Sequence, residues 1–358
     1  MIVVSSSGLA FEKHMVSDYS NSTRLRYFRI AGMTLQVGSV IPMEQDTFSA
    51  KFRPFEIEDP GTDTIAIEHR FCLPDLNGHD MGQPVYRRVP WAVYRKRNVW
   101  IYINYSQKMP WAPMRIFPRI WQRLQYGKRE CRRDEAREGE GFLKLGEGSQ
   151  IHLIAVCNYH HTKLTIFHRD EYFFRKGDLT SLTLFPTDQI LLSRVLAQRQ
   201  GCLFHASGAE LEGKGFLFVG HSGAGKSTIV NMMKPMAEVL CDDRMIVRRW
   251  QEGFRVHGNW SHGDIPEVSP NSAPLKAAFF LHKARENRMV RITDRSEITR
   301  RLLACLVRPL VSSDWWDRML SLVEDIASEV PCYALYFDKS GDIVPLLKEL
   351  EAPYWGAE

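Results

Sequence analysis

Residues Gly220-His221-Ser222-Gly223-Ala224-Gly225-Lys226-Ser227-Thr228 fill every constrained position of a GxxxxGK[ST] phosphate loop. The chemistry explains the spacing. Glycines let the backbone bend so that several N–H groups converge on phosphate at the positive end of a helix. Lys226 would bring a point charge to the β- and γ-phosphates, and the Ser227 hydroxyl would ligate Mg²⁺. The flanks agree with this. FLFV immediately before the loop reads as a strand, and STIVNMM after it as a helix stopped by Pro235. A glycine-rich turn matching by chance would rarely sit between such neighbours. Binding of a nucleoside triphosphate is the expectation.

Two further sets of residues gain meaning beside that loop. Asp242-Asp243 ends the apolar run Val239-Leu240-Cys241. Alone, the pair reads as a solvated turn. Next to a phosphate loop, it invites a division of labour, with one carboxylate on Mg²⁺ and the other taking the proton of an acceptor hydroxyl. His205 ends the run Cys202-Leu203-Phe204, and a tight turn at Glu212-Gly213-Lys214-Gly215 leads from there into the loop's strand. If the two strands pair antiparallel, His205 lies near the nucleotide. A histidine serving only structure is an equal alternative.

The elements that must position these groups change in texture along the chain. From Arg24 to about Phe185, the runs TLQVGSVI, TIAIEHRF, NVWIYINY, IHLIAVCNY and KLTIFHR alternate or cluster β-formers between turn residues. An antiparallel, β-rich first domain over 24–185 is expected, after a flexible segment at 1–23. Within it, the mixed-charge stretch 127–141 reads as a solvated loop, and the aromatic and basic segment 111–125 as amphipathic packing. From Pro186 on, strands and helices alternate. A helix over PTDQILLSRVLAQRQ closes at Gly201, and strands follow at CLFHASGAELE, FLFVG, EVLCDD, FRVHG and AAFFLHK. Helices near SEITRRLLACLVRPL and SSDWWDRMLSLVEDIASEV come next, then a strand at CYALYFD. That pattern predicts an α/β nucleotide-binding domain over 186–358.

Composition bounds the rest. A chain of 358 residues with 44% hydrophobic and 25% charged side chains is globular and long enough for two domains. Its net charge of +5 (47 Lys+Arg against 42 Asp+Glu) is mild for this length, and no basic stripe argues for nucleic acid. The 7 cysteines are scattered without a CxxC pair, as expected for reduced thiols rather than a disulfide framework or a zinc site. No signal peptide or membrane span is read, so a cytoplasmic protein is expected.

The string HASGAELEGKGFLFVGHSGAGKST followed by LCDD resembles the nucleotide-binding core shared by HPr kinase/phosphorylase and ATP-dependent phosphoenolpyruvate carboxykinase. The likeness is specific over about 201–264 and only one of pattern elsewhere, where it is nearest to stand-alone HPr-kinase-like proteins. It implies an ATP- and Mg²⁺-dependent kinase acting on a serine of a small protein or precursor peptide. Lys226 and Ser227 match the phosphate and magnesium positions, Asp242 and Asp243 the acidic pair, and His205 the active-site histidine. It also implies an acceptor hydroxyl near Trp260 and His262; Trp260 as a core residue and His262 as a surface turn residue is an equal alternative. No counterpart appears to the basic loop that supports phosphorolysis, nor to the arginine cluster of the carboxykinases, so neither of those activities is expected. Two rivals stay open: a regulatory nucleotide-binding module without an acceptor, and a kinase of a free hydroxy-amino acid. Self-assembly is left open as well.

Overall fold

The computed structural model describes residues 24–76, 79–106, 150–311, 313–348 and 350. The expectations for 1–23, 111–125 and 127–141 fall outside them. Strands in the first half are β1 (Leu25–Ile30), β2 (Met33–Ser39), β3 (Glu56–Ile57), β4 (Thr64–Arg70), β5 (Gln83–Arg88), β6 (Trp91–Lys96), β7 (Val99–Ser106), β8 (Gln150–Asn158) and β9 (Lys163–His168). They form one sheet in the order β3-β1-β2-β4-β9-β8-β7-β6-β5. Period-2 sequence drives it: in β4 Ile65, Ile67 and His69 are buried, while the residues between them are partly exposed.

The sheet is mixed rather than antiparallel as expected. β2 pairs parallel with β4, and β4 parallel with β9. Alternation fixes which face a residue takes but not strand direction. The long connection from Val40 to Asp63, with its 3-10 turn Ala50–Phe55, is what lets the chain return and enter β4 in parallel.

The second half holds β10 (Gly201–Leu211), β11 (Lys214–Val219), β12 (Glu238–Cys241), β13 (Arg244–Trp250), β14 (Gly253–His257), β15 (Ser272–Lys283), β16 (Arg288–Ile292) and β17 (Cys332–Phe337). Their order is β11-β10-β13-β14-β15-β17-β16, with β12 on β10, and β15 also pairs parallel with β11. Helices cover both faces. Phe216 and Phe218 share a core with residues of the helices Lys226–Met233 and Ile343–Lys348. Leu217 and Val219 share another with residues of the helices Arg295–Ala304 and Ser313–Glu329. This half is therefore an α/β arrangement with alternate residues of β11 facing opposite layers. No helix among the described residues is long and apolar enough to cross a membrane.

Two features of the packing bear on the site. The π-helical turn Asp188–Leu192 and the helix Ser193–Ala197 bury Ile190, Leu191, Val195 and Leu196 in the core of the first sheet, together with Leu203, Ile246 and Trp260 of the second half. The two halves thus share apolar packing. Trp260 is 2% exposed and wedged between Phe52 and Phe55, with ring centroids 5.4 and 5.3 Å away. Trp260→Ala is expected to destabilise the chain by about 3–5 kcal/mol, the usual cost of deleting a large buried aromatic. Urea titration checks this, and a loss under about 1 kcal/mol would show that the wedge contributes little.

The helix that begins at Arg295 is capped by Asp294, whose carboxylate accepts from the Ser296 and Glu297 amides. It ends at Ala304, well short of the expected Leu310. Tertiary pairing overrides the local pattern there: Leu306 bridges to Phe204, and the Val307 amide donates to the Leu203 carbonyl.

Candidate phosphate-transfer site

β10 and β11 pair antiparallel through the register Ala206↔Val219 to Leu211↔Lys214. The hairpin carries the chain straight into the loop at Gly220. Gly223 (φ +82°) and Gly225 (φ +107°) take left-handed backbone that side chains disfavour. Gly225 has a second reason to be glycine, because an added Cβ would lie 2.7 Å from Cζ of Phe337. Residues 221–223 are exposed and the loop then dives inward, so that Lys226 is buried at the start of the helix Lys226–Met233. The Ser207 hydroxyl donates to the Lys226 carbonyl and ties that first turn to β10.

The structure brings the three sequence candidates beyond the loop to its mouth. The Lys226 ammonium donates to the carbonyls of Gly220 (2.9 Å) and His221 (3.2 Å) and meets His205 Nε2 at 3.0 Å. His205 Nδ1 lies 3.1 Å from Asp243 Oδ1. One neutral tautomer satisfies both contacts: Nδ1–H donates to the carboxylate while Nε2 accepts from the lysine. Asp243, His205 and Lys226 therefore form a single hydrogen-bonded chain. Backbone bonds hold it from behind. The His205 amide donates to the Cys305 carbonyl at 2.7 Å, which is where the early end of the preceding helix acquires a purpose. The Ala206 amide donates to the Asp243 carbonyl at 3.1 Å.

Asp242 and Asp243 do not extend β12, as the sequence suggested, but form the turn between β12 and β13. A turn lets adjacent carboxylates point apart, and their environments differ accordingly. Burial opposes ionisation of Asp243, yet the bond from His205 and the charges of Arg244 and Lys226 outweigh it and hold its carboxyl below the ordinary range. Burial pushes Asp242 up instead, and the charges of Asp243 and Asp264 add to that against the Ile265 amide and the Ser227 hydroxyl. Such a split between neighbouring acids is what separate roles require. Burial likewise lowers the pKa of Lys226, against the opposing charge of Asp243.

Asp242 is 2% exposed; its Oδ2 accepts from the Ile265 amide at 2.9 Å, while its Oδ1 is buried with no hydrogen-bond donor in place. Gly263 closes over it, and a Cβ there would sit 3.0 Å from Oδ2. A buried carboxyl that the Ser227 hydroxyl bonds, with one oxygen still lacking a donor, suits a hard cation. Among the described residues, no three His, Cys, Asp or Glu side chains gather into a metal-binding group. Magnesium at a phosphate loop needs none, since phosphate and water supply its remaining oxygens.

Trp260 and His262, expected beside an acceptor, part company. Trp260 belongs to the interior, whereas His262 is exposed and bonds only the Gly263 carbonyl among the described contacts. The residues that do continue the site were not singled out in the sequence. Arg244 Nε lies 3.4 Å from Asp243 Oδ2, and its Nη1 donates to Asp188 Oδ2 at 2.8 Å. Arg244 was visible as the residue directly after the acids. Asp188, an acid inside an apolar helical pattern, carried a weaker signal.

Among known proteins, a family model described as "SynChlorMet cassette protein ScmC" matches residues 181–346, a span holding the loop, His205 and both acids. No curated protein matches. A solved structure, the Hpr(Ser) kinase/phosphatase from Coxiella burnetii, aligns with 41% of this chain and 87% of its own at 11% identity, with a TM-score of 0.25, a likeness too slight to inform the site.

Proposed function

We propose that the chain is an ATP-dependent phosphotransferase acting on a hydroxyl, with a serine of a small protein or peptide as the acceptor. The observation that carries this reading is the chain Asp243–His205–Lys226 at the mouth of the loop. It links a carboxylate held below its ordinary pKa range to a phosphate-loop ammonium through one imidazole, and a proton acceptor and a phosphate-binding lysine are two of the groups an in-line transfer needs. The loop amides and Lys226 would hold the β- and γ-phosphates. Mg²⁺ would be held by Ser227 and Asp242, whose orphaned oxygen fits it, and when bound would neutralise charge on the phosphates.

Asp243 would accept the hydroxyl proton as the acceptor oxygen bonds to the γ-phosphorus. The bond from that phosphorus to the β,γ-bridging oxygen breaks, and ADP departs with the electron pair. His205 would keep Asp243 oriented and relay the charge of Lys226 to it. Most of the acceleration would come from positioning and charge neutralisation rather than from covalent chemistry on the protein.

The test is transfer of label from γ-labelled ATP, with Mg²⁺, into fractions of the source lysate, with Lys226→Ala as the control. Label in a discrete protein or peptide band that the control lacks is the expected result. Label confined to small molecules would make this a kinase of a free hydroxy-amino acid. Nucleotide binding with no transfer at all would leave a regulatory module and end the kinase reading.

A further inference from the structure

The turn that packs into the core of the first sheet reaches the site through one buried carboxylate. Asp188 lies in the π-helical turn whose neighbours Ile190, Leu191 and Leu192 pack in the core of the first sheet. Its side chain is 7% exposed; Oδ2 accepts from Arg244 Nη1 and from the Ser261 hydroxyl, and Oδ1 is buried without a donor. Arg244 spans from there to Asp243. Ser261 is fixed from both sides. It follows Trp260, wedged between Phe52 and Phe55, and its carbonyl accepts from the Cys241 thiol at 2.6 Å. Lys51, on the 3-10 turn that carries Phe52, is close enough for the charges of Asp188 and Arg244 to act on it.

Building on the phosphotransfer reading, we propose that Asp188 and Arg244 are positioning residues for Asp243, so that packing against the core of the β-rich half sets the orientation of the proton-accepting carboxylate. A guanidinium held by a single carboxylate keeps its rotamer freedom. Held between two, in a planar fork, it transmits the position of one to the other. Asp188 is in turn fixed by an element that cannot shift without disturbing the first core. His205 restrains Oδ1 of Asp243 and Arg244 faces Oδ2, so the carboxylate plane is defined only when both are in place.

The experiment compares Asp188→Asn, Arg244→Gln and the double variant in the full-length chain, using amide hydrogen exchange together with kinetics. In Asp188→Asn, exchange is expected to quicken over 242–245 and to stay unchanged over 226–233. Turnover is expected to fall about 10–100-fold, the scale of a misplaced group of this kind. The Kd for a fluorescent nucleotide is expected to hold within about threefold, a split between kcat and binding that general loosening would not give. The double variant should lose no more than the worse single one, because the two residues act in series. Unchanged exchange over 242–245, additive losses or full turnover in both single variants would each overturn the proposal. Failure of the unaltered chain to transfer phosphate would sink the phosphotransfer reading instead, and the exchange comparison would still decide this one.

Discussion

A chain carrying Lys226→Ala is expected to lose phosphate transfer by at least about 10²–10³-fold, the range for deleting one preorganised electrostatic group, and to bind nucleotide more weakly. The ammonium bonds the carbonyls of Gly220 and His221 and the imidazole of His205. Polyphosphate would replace weak acceptors with strong ones, so the lysine contributes more to the bound state than to the empty one. Its effect on folding has the opposite sign. Burial lowers the pKa of Lys226, so the folded state disfavours its protonated form, and this cost is present wherever the ammonium persists. Alanine removes that cost along with the two loop bonds. The thermal midpoint should therefore move by only a few degrees, about what 1 kcal/mol does in a chain of this size. The measurements are a melting curve and a titration with a fluorescent nucleotide beside the transfer assay. Unimpaired transfer by a folded Lys226→Ala chain would remove the loop from the chemistry.

What could be read from the sequence was local. The loop, its hairpin and the neighbouring acids lie within a short stretch whose geometry is dictated by glycine, by strand periodicity and by a two-residue turn. The antiparallel approach of His205 to the loop followed from the length of that hairpin. Contacts between distant parts of the chain were not readable. Asp188 meets Arg244 and Ser261 across 56 and 73 positions. Nothing in PTDQILL says that its acid points inward, because an apolar helix tolerates a polar residue on its outer side. The resemblance placed Trp260 beside an acceptor, and nothing local decided between that and a place in the core. The aromatic pair that claims it, Phe52 and Phe55, comes from the other half of the chain. The strand Arg244–Trp250, with its three arginines, also went unread, although the turn that leads into it holds both acids. The helix stopping at Ala304 gave no local warning either, since the competing partner is β10.

Asp243→Asn is expected to leave nucleotide binding within about threefold while lowering turnover about 10²–10⁴-fold, the span that general-base catalysis supplies. The amide keeps the shape and a hydrogen bond to His205 but cannot take a proton. Asp242→Asn should behave differently, by raising the Mg²⁺ concentration needed for half-maximal turnover, because it removes the charge of a buried carboxyl that the Ser227 hydroxyl bonds and that has one oxygen without a donor. Acidity gives a second handle. Burial alone would raise Asp243, but His205, Arg244 and Lys226 together lower it, so the carboxylate stays ionised through neutral pH and turnover should fall only in strongly acidic solution. Because the folded pKa is depressed, the stabilisation it brings is present above the unfolded value and lost as pH falls through the folded one. His205→Ala removes one of the groups that hold it down, so the acid limb of the turnover profile should move to higher pH. A profile that stays in place would mean that the imidazole does not act on Asp243. Full turnover in Asp243→Asn would mean that the proton goes elsewhere, with Asp242, the only other carboxylate of the pair, as the group to examine.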